Sequence, residues 1–213
     1  MQGWFKIESV PTIMLKQAII QTLEIFGYEI RRRPRALHIA KEVKPVFDKI
    51  HYGCGRNYLP GWLNVDIIAR GPENYMYVDL ASRHPFPANS FEFGFSEDFI
   101  EHIDQASSIL FLEEVHRTFR KGGVLRLTFP CLEAVLKKHF SSISYDDFQK
   151  GKKEAYEAFG HVHFYSRDSL ALVAEHIGFA MEIVEGNKSR YSQLEGINAR
   201  LDFVNLHVEL TKQ

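Results

Sequence analysis

The chain has 213 residues, with 26 Lys and Arg against 27 Asp and Glu, so its formal net charge is −1. This balance argues against a protein whose main task is to neutralise nucleic-acid phosphates. Hydrophobic residues make up 45% and charged residues 25% of the chain, which is typical of a globular domain and excludes bulk disorder. Cys54 and Cys131 are too few for a disulfide framework and indicate reduced thiols in a cytoplasmic protein.

An amphipathic helix is predicted within an amino-terminal extension, residues 1–44. Its apolar positions recur at the spacing of one helix face and are Leu15, Ile19, Leu23, Phe26 and Ile30. Four arginines follow between residues 31 and 35. Two interpretations stay open: the helix packs on the domain with a solvated basic tail, or residues 10–35 touch a membrane surface or an anionic polymer. We recognise no export signal and no segment that could span a bilayer.

Residues 45–213 alternate short apolar runs with helical patterns, which indicates a single α/β domain. Strands are predicted at 49–52, 62–65, 75–78, 91–95, 124–129, 179–184 and 204–210. A helix is predicted from Gln105 to Arg120, ended by Lys121 and the Gly122-Gly123 pair. A second helix is predicted from Ser166 or Asp168 to Ile177, ended by Gly178. Residues 131–158 look mostly helical, within a substrate-side insert over 131–165.

Glycines and acidic residues stand at the predicted carboxyl ends of the first strands, where parallel α/β sheets bind ligands. In chain order they are Gly53 and Gly55, then Asp66, then Asp79 followed by Leu80, then Ser96 and Glu97. The glycines let the backbone approach a bulky ligand. Asp66 is suited to accept hydrogen bonds from two ribose hydroxyls, while Asp79 and Leu80 offer a carboxylate to an exocyclic amine and an apolar wall to a purine.

Several motifs in this order resemble those of class I S-adenosylmethionine-dependent methyltransferases, in particular a small bacterial group. They are Gly53-Cys54-Gly55, then Leu59-Pro60-Gly61-Trp62-Leu63-Asn64-Val65-Asp66, Asp79-Leu80, Phe86 to Glu92, Ile100-Glu101-His102-Ile103 and Phe119 to Leu125. The resemblance implies a Rossmann-like, mostly parallel sheet of seven strands, with helices on both faces and an antiparallel last strand. It also implies S-adenosylmethionine as cofactor, contacted by His51, Gly53, Cys54, Gly55, Asp66, Asp79, Leu80, Ser96 and Glu97.

The sequence departs from the family pattern in two ways. His51 stands two places before the first motif glycine, where the family usually has an acidic residue or asparagine. Only eleven positions separate Gly55 from Asp66, so the first crossover helix is predicted to shrink to a turn. The same spacing excludes a nicotinamide-binding domain, which requires a third glycine and an acidic residue about 20 positions on.

Two clusters are candidates for the chemistry. Asp98, Glu101 and His102 are spaced so that they share one side of a short helix, with Glu101 and His102 interpreted mainly as architectural. The second cluster lies in the segment Gly160-His161-Val162-His163-Phe164-Tyr165, with His161 or His163 as a base and Tyr165 as a wall. Histidines that only cap backbone groups are the alternative. The two histidines could face one metal ion, but no third ligand has a recognisable spacing, so no metal is predicted.

The predicted function is methyl transfer from S-adenosylmethionine to a small molecule or saccharide, at an oxygen atom. In-line transfer to a hydroxyl needs a base, and the candidate catalytic residues are Asp98, His102, His161 and His163. Cys54 and Cys131 are interpreted as packing residues. One alternative is a catalytically silent cofactor-binding module, which His51 keeps open. The other is a nucleic-acid methyltransferase that uses the arginines between 31 and 35, which the neutral overall charge disfavours.

Overall fold

The computed structural model describes residues 42–68, 71–141, 144–200 and 204–213. Within these ranges seven strands form one sheet: β1 (Lys49–Tyr52), β2 (Leu63–Asp66), β3 (Tyr75–Tyr77), β4 (Phe91–Glu97), β5 (Phe119–Pro130), β6 (Phe179–Ile183) and β7 (Asn205–Lys212). Their order is β3-β2-β1-β4-β5-β7-β6, and β7 runs antiparallel to both of its neighbours. The predicted fold class is confirmed, including the antiparallel last strand inserted in the sheet.

Four α-helices lie in the described ranges: α1 (Gln105–Thr118), α2 (Leu132–His139), α3 (Tyr145–Lys152) and α4 (Arg167–Ile177). A 3-10 helix (Ile100–His102) precedes α1, and a π-helix (Lys153–Glu157) follows α3. The helical prediction for residues 131–158 is thereby confirmed. No helix among the described residues is long and apolar enough to cross a membrane.

Local sequence signals fix both ends of α4. The side chain of Ser166 accepts a hydrogen bond from the backbone N–H of Ser169, and the Ser169 side chain binds back to the Ser166 backbone. Gly178 ends the helix with a φ of 106°, a conformation that glycine adopts without steric cost. The predicted start and end of this helix are confirmed, with Ser166 rather than Asp168 as the cap.

The predicted end of the first helix is wrong. α1 stops at Thr118, and the chain is already extended at Phe119, whose backbone pairs in register with Phe91 of β4. Gly122 and Gly123 therefore lie inside β5 rather than at a helix end. Phe119 continues the apolar spacing of α1, but it is fully buried because it packs in the core as a strand residue.

The two faces of the sheet are covered differently in the described chain. On one face, α1 and α4 bury apolar side chains against alternate strand residues such as Ile50, Leu127 and Val208. On the other face, Phe93, Phe95 and Val124 pack against Trp62 and Leu194, which lie in connecting segments.

The predicted amino-terminal helix and the arginines between residues 31 and 35 lie outside the described residues. A domain boundary at 44/45 and a membrane contact through residues 10–35 therefore stay predictions.

Candidate functional site

The glycine turn after β1 is tied directly to the end of β2. Gly53 and Gly55 have φ angles of 61° and 54°. The Asp66 carboxylate accepts hydrogen bonds from the backbone N–H of Gly55 at 2.7 Å and of Ile67 at 2.6 Å. As expected from the spacing, the described connection contains turns and no helix between the two strands. The carboxylate thus holds two chain segments at the edge of the sheet.

The two motif glycines differ in the space beside them. A Cβ on Gly53 would lie 2.6 Å from the ring of Phe99, whereas a Cβ on Gly55 would meet no described atom within 4 Å. Gly55→Ala should therefore cost about 1–2 kcal/mol for the left-handed backbone alone. Gly53→Ala should cost roughly 1–3 kcal/mol more because of overpacking. Urea unfolding of the ligand-free variants measures both values, and equal losses would contradict this packing.

Asn64 holds the turn over residues 59–62 against β2. Its side-chain oxygen accepts a hydrogen bond from the Leu59 N–H at 2.8 Å, and its amide donates to the carbonyls of Leu59 and Trp62. The Asn74 side chain donates to the same two carbonyls. The asparagine of the family-like motif therefore positions the loop that frames the glycine turn, a role that the sequence analysis did not assign.

His51 is buried beside this turn, with 2% of its surface exposed. Its Nδ1 lies 3.3 Å from the Asn64 side-chain oxygen, and its ring packs against Phe95. Burial lowers the pKa of His51 to about 4, so the imidazole is neutral at pH 7. A neutral hydrogen-bonding group thus stands where the family usually has an acidic residue or asparagine.

Two cavities border the carboxyl ends of β1 to β3. A small one of about 70 Å³ has the two carboxylates Asp66 and Asp79 in its wall, together with apolar groups of Val78, Leu80 and Phe99. A larger one of about 400 Å³ is lined by His51, Gly53, Cys54, Asn57, Glu97, Asp98, Ala199 and Arg200. Most of the predicted cofactor-binding residues therefore border one of these two spaces.

A third cavity of about 420 Å³ lies between the 3-10 helix and the segment 131–165. Its wall includes Asp98, Glu101, His102, His139 and His161, with Val135, Ala155 and Phe159 among its apolar groups. Asp98 and Arg200 line both this cavity and the 400 Å³ one, and their side chains form an ion pair at 3.2 Å. The two larger cavities therefore adjoin each other at Asp98 and Arg200.

Asp98 does not lie on a helix with Glu101 and His102, as the spacing had suggested. Its φ is 50°, and the 3-10 helix begins only at Ile100. The positive φ places the carboxylate at the junction of the cavities, where burial raises its pKa despite the opposing charge of Arg200. Asp98, His102 and His161 line one cavity although Asp98 lies outside the helix that contains His102.

Glu97 is fully engaged with a loop that the sequence analysis did not connect to it. Its Oε1 accepts hydrogen bonds from the Asn198 side chain at 3.0 Å and from the backbone N–H of Ala199 and Arg200. Glu97 thus fixes residues 198–200 over the cavity junction. Ser96 is completely buried in β4 and lines neither of the two larger cavities.

Glu101 is the most deeply buried acidic group of the cavity, with 1% of its surface exposed. Its Oε1 lies 3.9 Å from Nε2 of His102 and 4.0 Å from Nε2 of His161. Burial raises the pKa of Glu101 to about 8 and lowers the pKa of His161. Glu101 and His102, which the sequence analysis interpreted as mainly architectural, therefore line the cavity together with His161 of the later loop.

The two histidines of the 160–165 segment point to different places. His161 lines the cavity, whereas Nδ1 of His163 bonds the carbonyl of Ile103 at 2.9 Å and the ring packs on Tyr165. Tyr165 is buried in the core and bonds Ser108 of α1 at 2.8 Å, so its predicted place in the pocket wall is wrong. Because His161 lines the cavity and His163 does not, the two histidines do not face a common metal ion.

Neither cysteine has the surroundings of a reactive thiol. Cys54 is buried, and burial raises the pKa of its thiol to about 12. Cys131 is also buried, and its thiol donates to a carboxylate oxygen of Glu133 at 2.7 Å. Both are free.

Three solved structures of S-adenosylmethionine-dependent methyltransferases have a similar fold. One from Thermotoga maritima aligns over 79% of this chain and 84% of its own, with 18% identity and a TM-score of 0.51. One from Mesorhizobium loti covers 79% and 92%, with 14% identity and a TM-score of 0.53. One from Archaeoglobus fulgidus covers 93% and 94%, with 13% identity and a TM-score of 0.54.

Neither a protein-family model nor a curated protein sequence matches the chain. At these low identities the structural similarity defines the fold. The chain has the seven-stranded fold of class I methyltransferases. The 70 and 400 Å³ cavities lie at the carboxyl edge of the sheet, where such sheets bind ligands.

Proposed function

We propose that the chain is a cytoplasmic S-adenosylmethionine-dependent methyltransferase that acts on a hydroxyl group of a small molecule or saccharide. The observation that carries this proposal is the meeting of two cavities of about 400 and 420 Å³ at Asp98, on a sheet of this fold. One cavity borders the glycine turn, and the other is walled by histidines and carboxylates. This arrangement suits a donor and an acceptor that react at a shared boundary.

The residues at the glycine turn fit an adenosine-containing cofactor. Each Asp66 oxygen accepts one backbone hydrogen bond and keeps lone-pair capacity for a ribose hydroxyl. Gly55 has open space where any other residue would project a Cβ. Asp79 and Leu80 would border the base, while His51, Gly53 and Cys54 would border the methionine end, with Glu97 holding the loop above it. Ser96 would support this wall from within β4.

When bound, S-adenosylmethionine supplies a methyl group activated by its sulfonium charge. The chain's own task is then to align the acceptor, exclude water and accept the hydroxyl proton. Asp98 stands at the cavity junction, and burial raises its pKa towards the range of an effective base. His102 and His161 line the same cavity, whereas His163 is the weaker candidate because it does not line this cavity.

The third cavity suits a small acceptor. Its volume of about 420 Å³ lies in the usual range for small-molecule sites, and it combines apolar and aromatic groups with a few convergent polar ones. Lys138 and Arg200 add positive charge at its border. Methylation at oxygen, rather than at nitrogen or carbon, is proposed because several proton acceptors face this space.

A labelled-donor assay tests the proposal. The protein is incubated with methyl-labelled S-adenosylmethionine and separate panels of hydroxylated metabolites, saccharides, nucleosides and RNA, and products are identified by mass spectrometry. We expect label in a small hydroxylated acceptor. Asp98→Asn should lower the rate about 100-fold, since general-base catalysis contributes about 10²–10⁴-fold. Asp146→Ala, on the exposed surface of α3, should leave the rate unchanged.

Other outcomes would favour the competing functions. Label in RNA alone, lost when the arginines between residues 31 and 35 are replaced, would identify a nucleic-acid methyltransferase. Cofactor binding without label in any panel would favour a catalytically silent module.

A further inference from the structure

We propose that Glu101, His102 and His161 form a binding site for one divalent transition-metal ion of the zinc class, in the wall of the 420 Å³ cavity. Their ligand atoms all lie within 4.8 Å of one another. Among the described residues, this is the cluster of at least three His, Cys, Asp or Glu side chains that is close enough to hold one ion. Two come from the 3-10 helix after β4, and the third lies on a loop almost 60 positions later in the chain.

Glu101 is the first argument for an ion. Neither of its carboxylate oxygens has a hydrogen-bond partner among the described residues, although the side chain is 1% exposed. A buried carboxylate without a partner is costly and is normally paired, hydrogen-bonded or bound to a metal. The nitrogen atoms that face its Oε1 are Nε2 of His102 at 3.9 Å and Nε2 of His161 at 4.0 Å. A cation between the three groups would satisfy the carboxylate.

The second argument is the orientation of His161. Its Nδ1 lies 2.8 Å from the carbonyl oxygen of Ala155, so Nδ1 carries the proton and donates it. This fixes the neutral tautomer in which Nε2 has a free lone pair, and Nε2 is the nitrogen that faces Glu101. Metal-binding histidines commonly have their second nitrogen held by such an outer hydrogen bond.

The backbone near the cluster is also held in place. The N–H of Val162, next to His161, donates to the carbonyl of Glu101 at 2.8 Å. This bond joins the loop to the 3-10 helix at the cluster.

Zinc–ligand distances of about 2.0–2.2 Å imply ligand separations of roughly 3.4 Å in a tetrahedral site. The two separations from Glu101 Oε1, 3.9 and 4.0 Å, therefore need to shorten by about half an ångström to close around an ion, and the third separation, which is within 4.8 Å, by no more than about 1.4 Å.

The ligand types select the class of ion. Two imidazoles and one carboxylate favour zinc or cobalt over calcium and magnesium, which prefer oxygen ligands. Three protein ligands leave a coordination position open, as in catalytic rather than structural sites. That position would face the cavity and take an oxygen atom of the acceptor. This last step rests on the proposed function, whereas metal binding itself does not.

The test is metal titration of chelator-treated protein without any methyl donor. Calorimetry with zinc chloride and visible absorption with cobalt chloride should both give one ion per chain. Glu101→Gln and His161→Asn should each weaken binding by roughly 100-fold or more, since loss of an outer partner alone costs about 10–100-fold. His139→Gln removes a histidine that lines the same cavity but is not in the cluster, and it should leave the affinity for the metal ion unchanged.

The proposal would be overturned if the wild-type protein bound no ion, or if His139→Gln weakened binding as much as His161→Asn. Circular dichroism in the presence of chelator establishes that each variant is folded. If Glu101→Gln fails to fold, His161→Asn decides the outcome, because His161 lies on a loop and its side chain is less buried than that of Glu101. Binding of S-adenosylhomocysteine is measured separately, so a missing metal site and a missing cofactor site give different results.

Discussion

Asp66→Ala is expected to weaken binding of S-adenosylhomocysteine about 100-fold. The ribose of the bound ligand would lose two charge-assisted hydrogen bonds to the Asp66 carboxylate, each contributing about 1.5–3 kcal/mol. A loss of roughly 3 kcal/mol corresponds to about two powers of ten in Kd. The same substitution releases the N–H groups of Gly55 and Ile67, which loosens the glycine turn and adds to the effect.

Calorimetric titration of wild type and variant measures this difference. Asp146→Ala removes an exposed carboxylate far along the chain, on α3, and should bind as the wild type does. Asp79→Ala should weaken binding less than Asp66→Ala, since Asp79 is proposed to contact one amine of the base, whereas Asp66 is proposed to hold two ribose hydroxyls. Equal affinity of wild type and Asp66→Ala would contradict the proposed ribose site.

Arg126→Leu is expected to lower the free energy of unfolding by about 3–5 kcal/mol, the usual cost of breaking a buried ion pair. Arg126 and Glu209, on neighbouring strands β5 and β7, are 0% and 1% exposed and lie 3.2 Å apart. The guanidinium also donates to the Asn198 side chain and to the carbonyls of Gly186 and Lys188. Its removal would leave a carboxylate and several loop acceptors buried without their donor.

Arg120→Leu is the matched control, because Arg120 also lies on β5 but forms a half-exposed contact with Glu92 at 4.0 Å. It should cost no more than about 1 kcal/mol. The double variant Arg126→Leu/Glu209→Leu should recover part of the loss, since the uncompensated charge is gone. Urea unfolding of the four proteins measures these values, and similar costs for Arg126→Leu and Arg120→Leu would contradict a structural role for the buried pair.

The Arg126 cluster also matters for the site. Asn198 accepts from Arg126 and donates to Glu97, so the buried arginine holds the loop that carries Arg200 to the cavity junction. A charged residue within the apolar run of β5, and another within β7, are the only sequence signs of this arrangement. Apolar and polar residues alternate along β7, but the polar residues His207 and Glu209 are buried, and Ser189 of this loop donates a hydrogen bond to Glu209.

Features set by neighbours in the chain were predictable. The capping of α4 by Ser166 and its end at Gly178 depend on residues within one helical turn. The glycine turn and the carboxylates after β2 and β3 follow from the order of strands in a parallel sheet. The short connection between Gly55 and Asp66 leaves room only for a turn.

Features set by distant parts of the chain were not predictable. Phe119 fits the apolar spacing of α1, and only its pairing with Phe91 in β4 makes it a strand residue. The positive φ of Asp98 has no signal in the sequence. His161 meets Glu101 through a contact between a loop and a 3-10 helix. The spacing of His161 and His163 had instead suggested that these two histidines could face the same space, which they do not.

A crystal structure of the protein with S-adenosylhomocysteine tests the proposed site most directly. We expect the ribose hydroxyls at the two Asp66 oxygens, the amino-acid end beside Gly53 and His51, and the sulfur atom turned towards Asp98 and the histidine-lined cavity. A well-ordered protein that binds no ligand at the glycine turn, or binds it with the sulfur turned away from Asp98, would contradict the proposal.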